Sequence, residues 1–246
     1  MKKIMLSAAV LAALIGTATA ATTVTSANTV GYQENVMANG YTLNAPAFMG
    51  VGTDGLVDLS KLKLINAKGD STELINFLDE EGMNTETWAW LTKDGAGMDD
   101  GWYDYVTWAS IKTSIKKCEG YLMCAGSGVS LQSAGQVRLD DETVTLKAGY
   151  TVTGNTTPIS IDLQSIKLID AKGDSTEMIN FLDAEGMNTQ TWAWLTEEGA
   201  GMEDGWYDYV TWKKIEYTVK PGEAFLFGVS ADVKVVFPGV TSATTK

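Results

Sequence analysis

Histidine is missing altogether from the 246 residues, and there are only two cysteines and four prolines. Without histidine, Ser-His-Asp and Cys-His arrangements and every His-ligated zinc or iron site are excluded. Cations are scarce as well: 18 Lys and Arg stand against 31 Asp and Glu, a formal charge of −13. So acidic a chain repels nucleic acid and anionic lipid, because binding phosphate requires Lys and Arg to displace counterions. No G-x-S-x-G elbow, P-loop or dinucleotide fingerprint follows a strand pattern. Beyond the N-terminus no apolar run approaches the roughly 20 residues of a spanning helix, so no transmembrane segment is expected in the mature chain. The polar, turn-rich repeats argue against an outer-membrane barrel. What the chain does have is carboxylates, two thiols and many aromatic rings, including eight tryptophans.

The N-terminus reads as a leader. Lys2 and Lys3 precede an apolar run from Ile4 to Ile15, followed by Ala18-Thr19-Ala20. A charged start, a short apolar stretch and an A-x-A site are the parts of a secretory signal peptide over 1–20. Cleavage after Ala20 removes two lysines and takes the formal charge to about −15. The expected destination is the periplasm, the cell surface or the extracellular space.

One unit occurs twice. Leu62 to Trp108 recurs at Ile166 to Trp212, with 39 of 47 positions identical. The repeat extends further, since Gly40-Tyr41 matches Gly149-Tyr150 and Glu119 to Met123 matches Glu223 to Phe227. Self-similarity at a fixed period defines the structural unit. It divides the mature chain into 21–136 and 137–246 with no Pro/Gly/Ser-rich linker between them. The expected fold is mainly β: two tandem sandwich or barrel-like modules of about 105 residues, each with at most a short helix.

Glu142 to Tyr150 alternates with β-branched residues, and Val233 to Phe237 closes the unit as a strand. Pro221-Gly222 lies between two apolar runs and marks a turn. Asp70 to Gly82 is ambiguous. Asp70 with Glu73 resembles a helix capping box, yet Leu74 to Leu78 and Thr87 to Leu91 can pair across Asp79–Asn84 as a hairpin, and the hairpin is preferred. A short helix is expected near Val57 to Leu64.

Two kinds of residue could carry chemistry. Asp94, Asp99, Asp100 and Asp104, with Glu198, Glu203, Asp204 and Asp208 in the second copy, cluster among glycines. Hard cations such as Ca²⁺ take several oxygen ligands, but the EF-hand spacing is absent and a solvated turn is the simpler reading. Two close carboxylates could also serve a glycosidase-like hydrolase, although spacing alone gives no support. The aromatics are the stronger signal. Trp88, Trp90, Trp102, Tyr103, Tyr105 and Trp108 recur as Trp192, Trp194, Trp206, Tyr207, Tyr209 and Trp212. If Trp102 to Trp108 is one strand, Trp102 and Trp108 share a face opposite Tyr103 and Tyr105. Most rings then form the core of a small β unit, and those left exposed could stack on sugars or anchor a protein partner.

Cys118 and Cys124 have Gly222 and Gly228 as counterparts. If the chain between them is extended, their Cα atoms lie roughly 20 Å apart, beyond the reach of a disulfide. The Gly40-Tyr41 and Gly149-Tyr150 pairs, the stretches Asp100 to Asp104 and Asp204 to Asp208, and Pro221 to Phe227 with its closing strand form a pattern. That pattern resembles the repeat modules of secreted proteins from bacteria of the Planctomycetes–Verrucomicrobia–Lentisphaerae group. The resemblance implies a β-rich exported module and carries no established activity or functional residues. The first copy departs from it with Lys117-Cys118 in place of Pro-Gly, so its turn is expected to differ.

These features point to an exported, non-enzymatic structural or adhesive protein without a cofactor, associating with itself, with other surface proteins or with glycan. Tandem carbohydrate-binding modules are the alternative, and a carboxylate-dependent hydrolase is the weaker third.

Overall fold

In the computed structural model of the chain, residues 30–50, 56–57, 62–112, 114–116 and 118–243 are described. The leader and most of the expected helix near Val57 to Leu64 lie outside them. The protein is mainly β, built of small antiparallel sheets. The first copy contributes β1 (Val30–Val36), β2 (Gly40–Asn44), β3 (Leu62–Ile65), β4 (Asp70–Leu78), β5 (Asn84–Leu91), β6 (Gly101–Asp104), β7 (Tyr121–Ala125) and β8 (Ser130–Gln136). The second contributes β9 (Glu142–Leu146), β10 (Gly149–Gly154), β11 (Ile161–Asp162), β12 (Lys167–Ile169), β13 (Asp174–Leu182), β14 (Asn188–Leu195), β15 (Gly205–Asp208), β16 (Thr218–Val219), β17 (Ala224–Val229) and β18 (Val233–Phe237). Among the described residues helix is confined to short turns: α1 (Lys93–Ala96), α2 (Glu197–Ala200), α3 (Val240–Ala243) and a three-residue 3-10 turn, Leu163–Ser165.

The mainly β expectation holds, but in place of two sandwich or barrel-like modules the described residues form five small antiparallel sheets. The first copy forms β1-β8-β3 and β2-β7-β4-β5-β6, and the second forms β9-β18-β12, β10-β17-β13-β14-β15 and the small pair β11-β16. Among the described residues no sheet joins strands of the two copies, apart from an isolated bridge between Asn44 and Glu223. In each copy the inward residues of the three-stranded and five-stranded sheets share one apolar cluster. Leu62, Leu64 and Leu131 meet Ile75, Trp88, Trp90, Trp102 and Met123 in the first, and Leu168, Val235 and Phe237 meet Ile179, Trp192, Trp194, Trp206 and Phe227 in the second. Trp102 ties the sheets directly, its indole N–H donating to the Leu62 carbonyl at 2.9 Å, as Trp206 does to Ile166.

The capping-box look-alike serves a strand. Asp70 turns back on Thr72, accepting from its N–H and its hydroxyl. Buried Glu73 accepts from the N–H groups of Lys68 and Gly69. Both acids therefore stabilise an irregularity between Asp70 and Leu74, where Ser71 has φ 73°. Asp79 then accepts from the N–H groups of Glu81 and Met83, and Gly82 supplies φ 77°, closing the β4–β5 hairpin. The hairpin expectation holds. At the described end of the helix expected near Val57 to Leu64 the chain is extended instead: Leu62–Ile65 is strand β3, paired with β8. Glu142 to Tyr150 is likewise broken: β9 ends at Leu146 and β10 starts at Gly149. The turn at Cys118 does not differ as expected. Cys118 adopts φ 60° and Gly222 φ 74°, and Glu119 and Glu223 each donate an N–H three residues back at 3.1 Å. Neither Cys118, which is buried, nor Cys124 is in a disulfide.

The copies meet through a reciprocal interface. The Tyr41 N–H donates to the Ala184 carbonyl at 2.9 Å, and the Tyr150 N–H donates to the Glu80 carbonyl at 2.7 Å. Ala184 and Glu80 occupy the same place in the two hairpin turns. The ring of Tyr150 lies over Gly82, and that of Tyr41 over Gly186. Around them Leu43, Val152, Leu78, Leu182, Leu122 and Leu226 form a shared apolar cluster. This is the geometry of an isologous dimer interface held within one chain. The segment between the copies is pinned by buried Arg138, which donates to the Thr156 hydroxyl and to the carbonyls of Asp140, Phe237 and Pro238.

Two outcomes follow. Gly149 has φ 104°, and a Cβ there would stand 2.4 Å from the Glu80 carbonyl oxygen; Gly149→Ala is expected to cost about 3 kcal/mol or more in urea unfolding. The Tyr121 hydroxyl is buried without a partner where the second copy has Phe225. Tyr121→Phe is expected to stabilise the protein by about 1 kcal/mol, read as a raised Tm.

Candidate functional site

The twelve aromatic candidates divide cleanly. Trp88, Trp90, Trp102 and Tyr103 are buried, as are Trp192, Trp194, Trp206 and Tyr207. They are core: Trp90 and Trp102 pack edge-to-face at 5.3 Å between centroids, and Trp194 with Trp206 repeats the same distance. The Tyr103 hydroxyl donates to the Asp99 carbonyl, and Tyr207 to Glu203. Tyr105 and Trp108 remain in solvent at 44% and 43% exposure, with Tyr209 and Trp212 at 44% and 45%.

Trp102 to Trp108 is not one strand, which corrects the expected face-sharing. The edge strand β6 stops at Asp104, and the reason is local. The Asp104 carboxylate oxygen Oδ1 accepts from the Val106 N–H at 3.1 Å, the Thr107 N–H at 2.6 Å and the Thr107 hydroxyl at 2.6 Å. An aspartate that bonds the backbone two and three residues on imposes a turn. The Trp108 N–H closes it on the Asp104 carbonyl at 2.9 Å, and Trp108 takes φ 56°. The Asp104 N–H donates to Ala109, the Ile111 N–H to Trp102, and the Tyr105 N–H to Thr87, so the turn is anchored to the sheet on both sides.

The second copy reproduces this atom for atom. Asp208 accepts from the Val210 N–H, the Thr211 N–H and the Thr211 hydroxyl, and Trp212 has φ 56°. The exposed ring pairs, Tyr105–Trp108 and Tyr209–Trp212, both have centroids 5.4 Å apart, at 52° and 49°. Val106 and Val210 form the tips, 82% and 83% exposed. Each turn is thus an apolar knob with two tilted rings on a rigid base. Sequence reasoning passed over Val106, Thr107, Val210 and Thr211; the visible signal was Asp followed three residues later by Thr.

The acidic candidates act mainly on their own loops. Asp100 accepts from the Lys93 N–H and Asp204 from the Glu197 N–H, while Asp94 and Glu198 lie in α1 and α2. Glu203 pairs with Lys214 at 3.0 Å. Among the described residues no group of three or more acidic or thiol side chains is gathered as metal ligands would be. An open groove of about 840 Å³ lies beside α2, lined by Asp170, Lys172, Asp174, Trp194, Glu197 and Asp204 among others. Among the described residues, the carboxylates moved from their ordinary value are Asp70, Asp104, Asp141, Asp174, Asp208 and Asp232, and all lie below it. They are held ionised by hydrogen bonds, which suits turn capping rather than proton donation.

No known protein family, curated protein or solved structure matches this chain. Among the described residues no helix is long and apolar enough to cross a membrane.

The Thr107 hydroxyl and N–H lower the Asp104 pKa, and the Thr211 N–H and hydroxyl lower that of Asp208. A carboxyl depressed in the folded state stabilises above its unfolded pKa, and that stability is lost as pH falls through the folded value. The aromatic turns are therefore expected to loosen below about pH 4. Iodide quenching of tryptophan fluorescence should rise there before far-UV dichroism changes. In an Asp104→Asn, Asp208→Asn variant the turns should already be loose at neutral pH.

Proposed function

We propose that this is an exported, non-enzymatic adhesive or structural protein that holds its target through two equivalent aromatic turns. In this reading each copy is one β-rich module, a three-stranded sheet sharing an apolar cluster with a five-stranded one. The reciprocal interface sets the two modules rigidly against each other. Export rests on the leader-like sequence, and the resemblance to secreted repeat modules agrees with it.

The observation that carries the reading is the duplicated knob. Three tryptophan side chains of the repeat are needed by the cores and reach them in both copies. The rings of Trp108 and Trp212 serve no core, yet both are held half-exposed on a left-handed backbone, which is rare for a bulky residue. Tyr and Trp give large contact area at low entropic cost and dominate binding hot spots. Two such knobs on one body bind an extended or multivalent target with avidity that neither has alone.

A second reading has the target as a glycan. It is favoured by the rings' position beside the Asp104 and Asp208 carboxylates, which could accept sugar hydroxyls while the rings stack on the sugar faces. In both readings the protein recognises repeated surface chemistry and transforms nothing.

The test is Trp108→Ala with Trp212→Ala. Because both side chains are exposed, unfolding should shift by no more than about 0.5 kcal/mol. Retention on cell-envelope preparations should fall about 100-fold for the double variant and much less for either single one. The same variants run on a panel of insoluble polysaccharides separate the glycan reading from a protein target. Unchanged retention of the double variant on every surface would remove the knobs from the function.

A further inference from the structure

The two copies differ most where their three-stranded sheets face solvent. In the second, edge strand β9 presents Thr143 and Thr145 outward, followed by Lys147 paired with Asp232 at 2.7 Å. Polar and charged residues of this kind keep a sheet edge from pairing with another chain. In the first copy, edge strand β1 presents Val30, Tyr32 and Val36, at 64%, 61% and 60% exposure, with Glu34 between them. A seven-residue edge carrying an exposed apolar stripe is what soluble monomers avoid.

The hydrogen-bond pattern shows which backbone groups of β1 are free. On β8, Gln136 exchanges both of its bonds with Met49, at 2.7 and 3.0 Å. Its N–H and C=O therefore point away from β1, and its partner there, Val30, is a non-hydrogen-bonded pair. Alternation along an antiparallel ladder then turns the N–H and C=O of Val30, Tyr32, Glu34 and Val36 to the free edge. The odd residues face β8, as the Met37 N–H bonded to the Val129 carbonyl confirms. Among the described residues none of these outward groups has a backbone partner.

We propose that β1 is a self-pairing edge whose partner is β1 of a second copy of this chain, joined antiparallel about a two-fold axis through Gln33. Pairing of a strand with itself must match outward groups with outward groups. The register centred on Gln33 does so for all four residues, placing Val30 opposite Val36 of the other copy and Tyr32 opposite Glu34. Both apolar pairs then lie on one face, and neither carboxylate sits directly opposite another. Registers displaced by two residues strand a hydrogen-bonding position at each end, and those displaced by one put outward groups against inward ones. The product is one continuous sheet, β3-β8-β1 followed by β1-β8-β3. β9 offers no equivalent, because its outward side chains are polar.

The charge sets the strength. Two strongly acidic chains, of formal charge −13 with the leader and about −15 without it, repel through solvent, and salt screens that repulsion. The contact is also small, so the dimer belongs to the weak class, with Kd of about 10 to 1000 µM. On a surface crowded by the aromatic knobs, that is enough to knit neighbours together. The inference does not depend on what the knobs hold.

Sedimentation equilibrium of the exported chain at low and high salt tests it. The expected result is a monomer–dimer equilibrium that shifts towards dimer as salt rises. Glu34→Pro removes one outward N–H and leaves the β8-facing bonds intact, so the monomer should fold and Kd should weaken about tenfold or more. Val36→Lys, which changes no backbone group, should weaken it similarly. For the register, mixing a Val30→Cys chain with a Val36→Cys chain should give a disulfide-linked heterodimer faster than either alone gives a homodimer. Persistent monomer at millimolar concentration, or equal cross-linking in the mixed and unmixed samples, would overturn the proposal. Retention of Glu34→Pro on the target surface separates this from the knobs: it should persist, whereas Trp108→Ala with Trp212→Ala should still dimerise.

Discussion

The seating of each Gly-Tyr pair on the hairpin turn of the opposite copy organises the molecule. Gly40 and Gly149 bring their backbones against the carbonyls of Ala184 and Glu80, closer than any side chain would allow. The next residue, Tyr41 or Tyr150, then both donates its N–H to that carbonyl and lays its ring on the glycine of the same turn. Because the contact is made twice with the roles exchanged, the copies obey an approximate two-fold relation. A hairpin tip that would otherwise be solvent-exposed thereby becomes a packing element. The turn geometry set by Asp79 and Asp183 consequently matters to both copies at once.

This constraint accounts for the unevenness of the duplication. Near-identity peaks between Asp70 and Trp108 because that stretch does three jobs. It supplies the core tryptophans, the hairpin tip that receives the other copy, and the aromatic turn. Outside it the demands are looser. β1 and β9 need only one inward face, and their outward faces have diverged, with Glu34 and Val36 of β1 standing where β9 has Thr143 and Thr145. Even Cys118 and Gly222 reach the same left-handed backbone conformation, which glycine adopts without strain.

Alternation and turn residues made the strands legible in the sequence, from β4 and β5 through β17 and β18. Two signals misled because their chemistry is shared between structures. Asp70 and Glu73 have the spacing of a capping box, but an acid that can bond a helix N-terminus can equally bond a bulged strand and the turn before it. The aromatic run from Trp102 to Trp108 has strand propensity throughout, yet Asp104 competes for the backbone with three local hydrogen bonds and ends the strand. The reciprocal interface was not legible at all. It depends on contacts between residues more than 60 positions apart, and nothing in the Gly-Tyr pair announces its distant partner.

The aromatic turns pose the clearest physical question in the fold. A left-handed tryptophan costs on the order of 1 kcal/mol, and half-burial of its ring recovers only part of what a core position would give. The core does not require it, since the three buried tryptophans of each copy lie in the apolar cluster and it does not. The Asp104 and Asp208 networks hold that conformation in place twice over, with ring-to-ring distances that agree between the copies. A strained, solvent-facing, duplicated aromatic pair does little for stability, and that imbalance is the physical ground of the proposed function. In that proposal the chain holds its target through the aromatic turns that follow β6 and β15, the edge strands of the five-stranded sheets, while the proposed self-pairing uses β1, an edge of a three-stranded sheet.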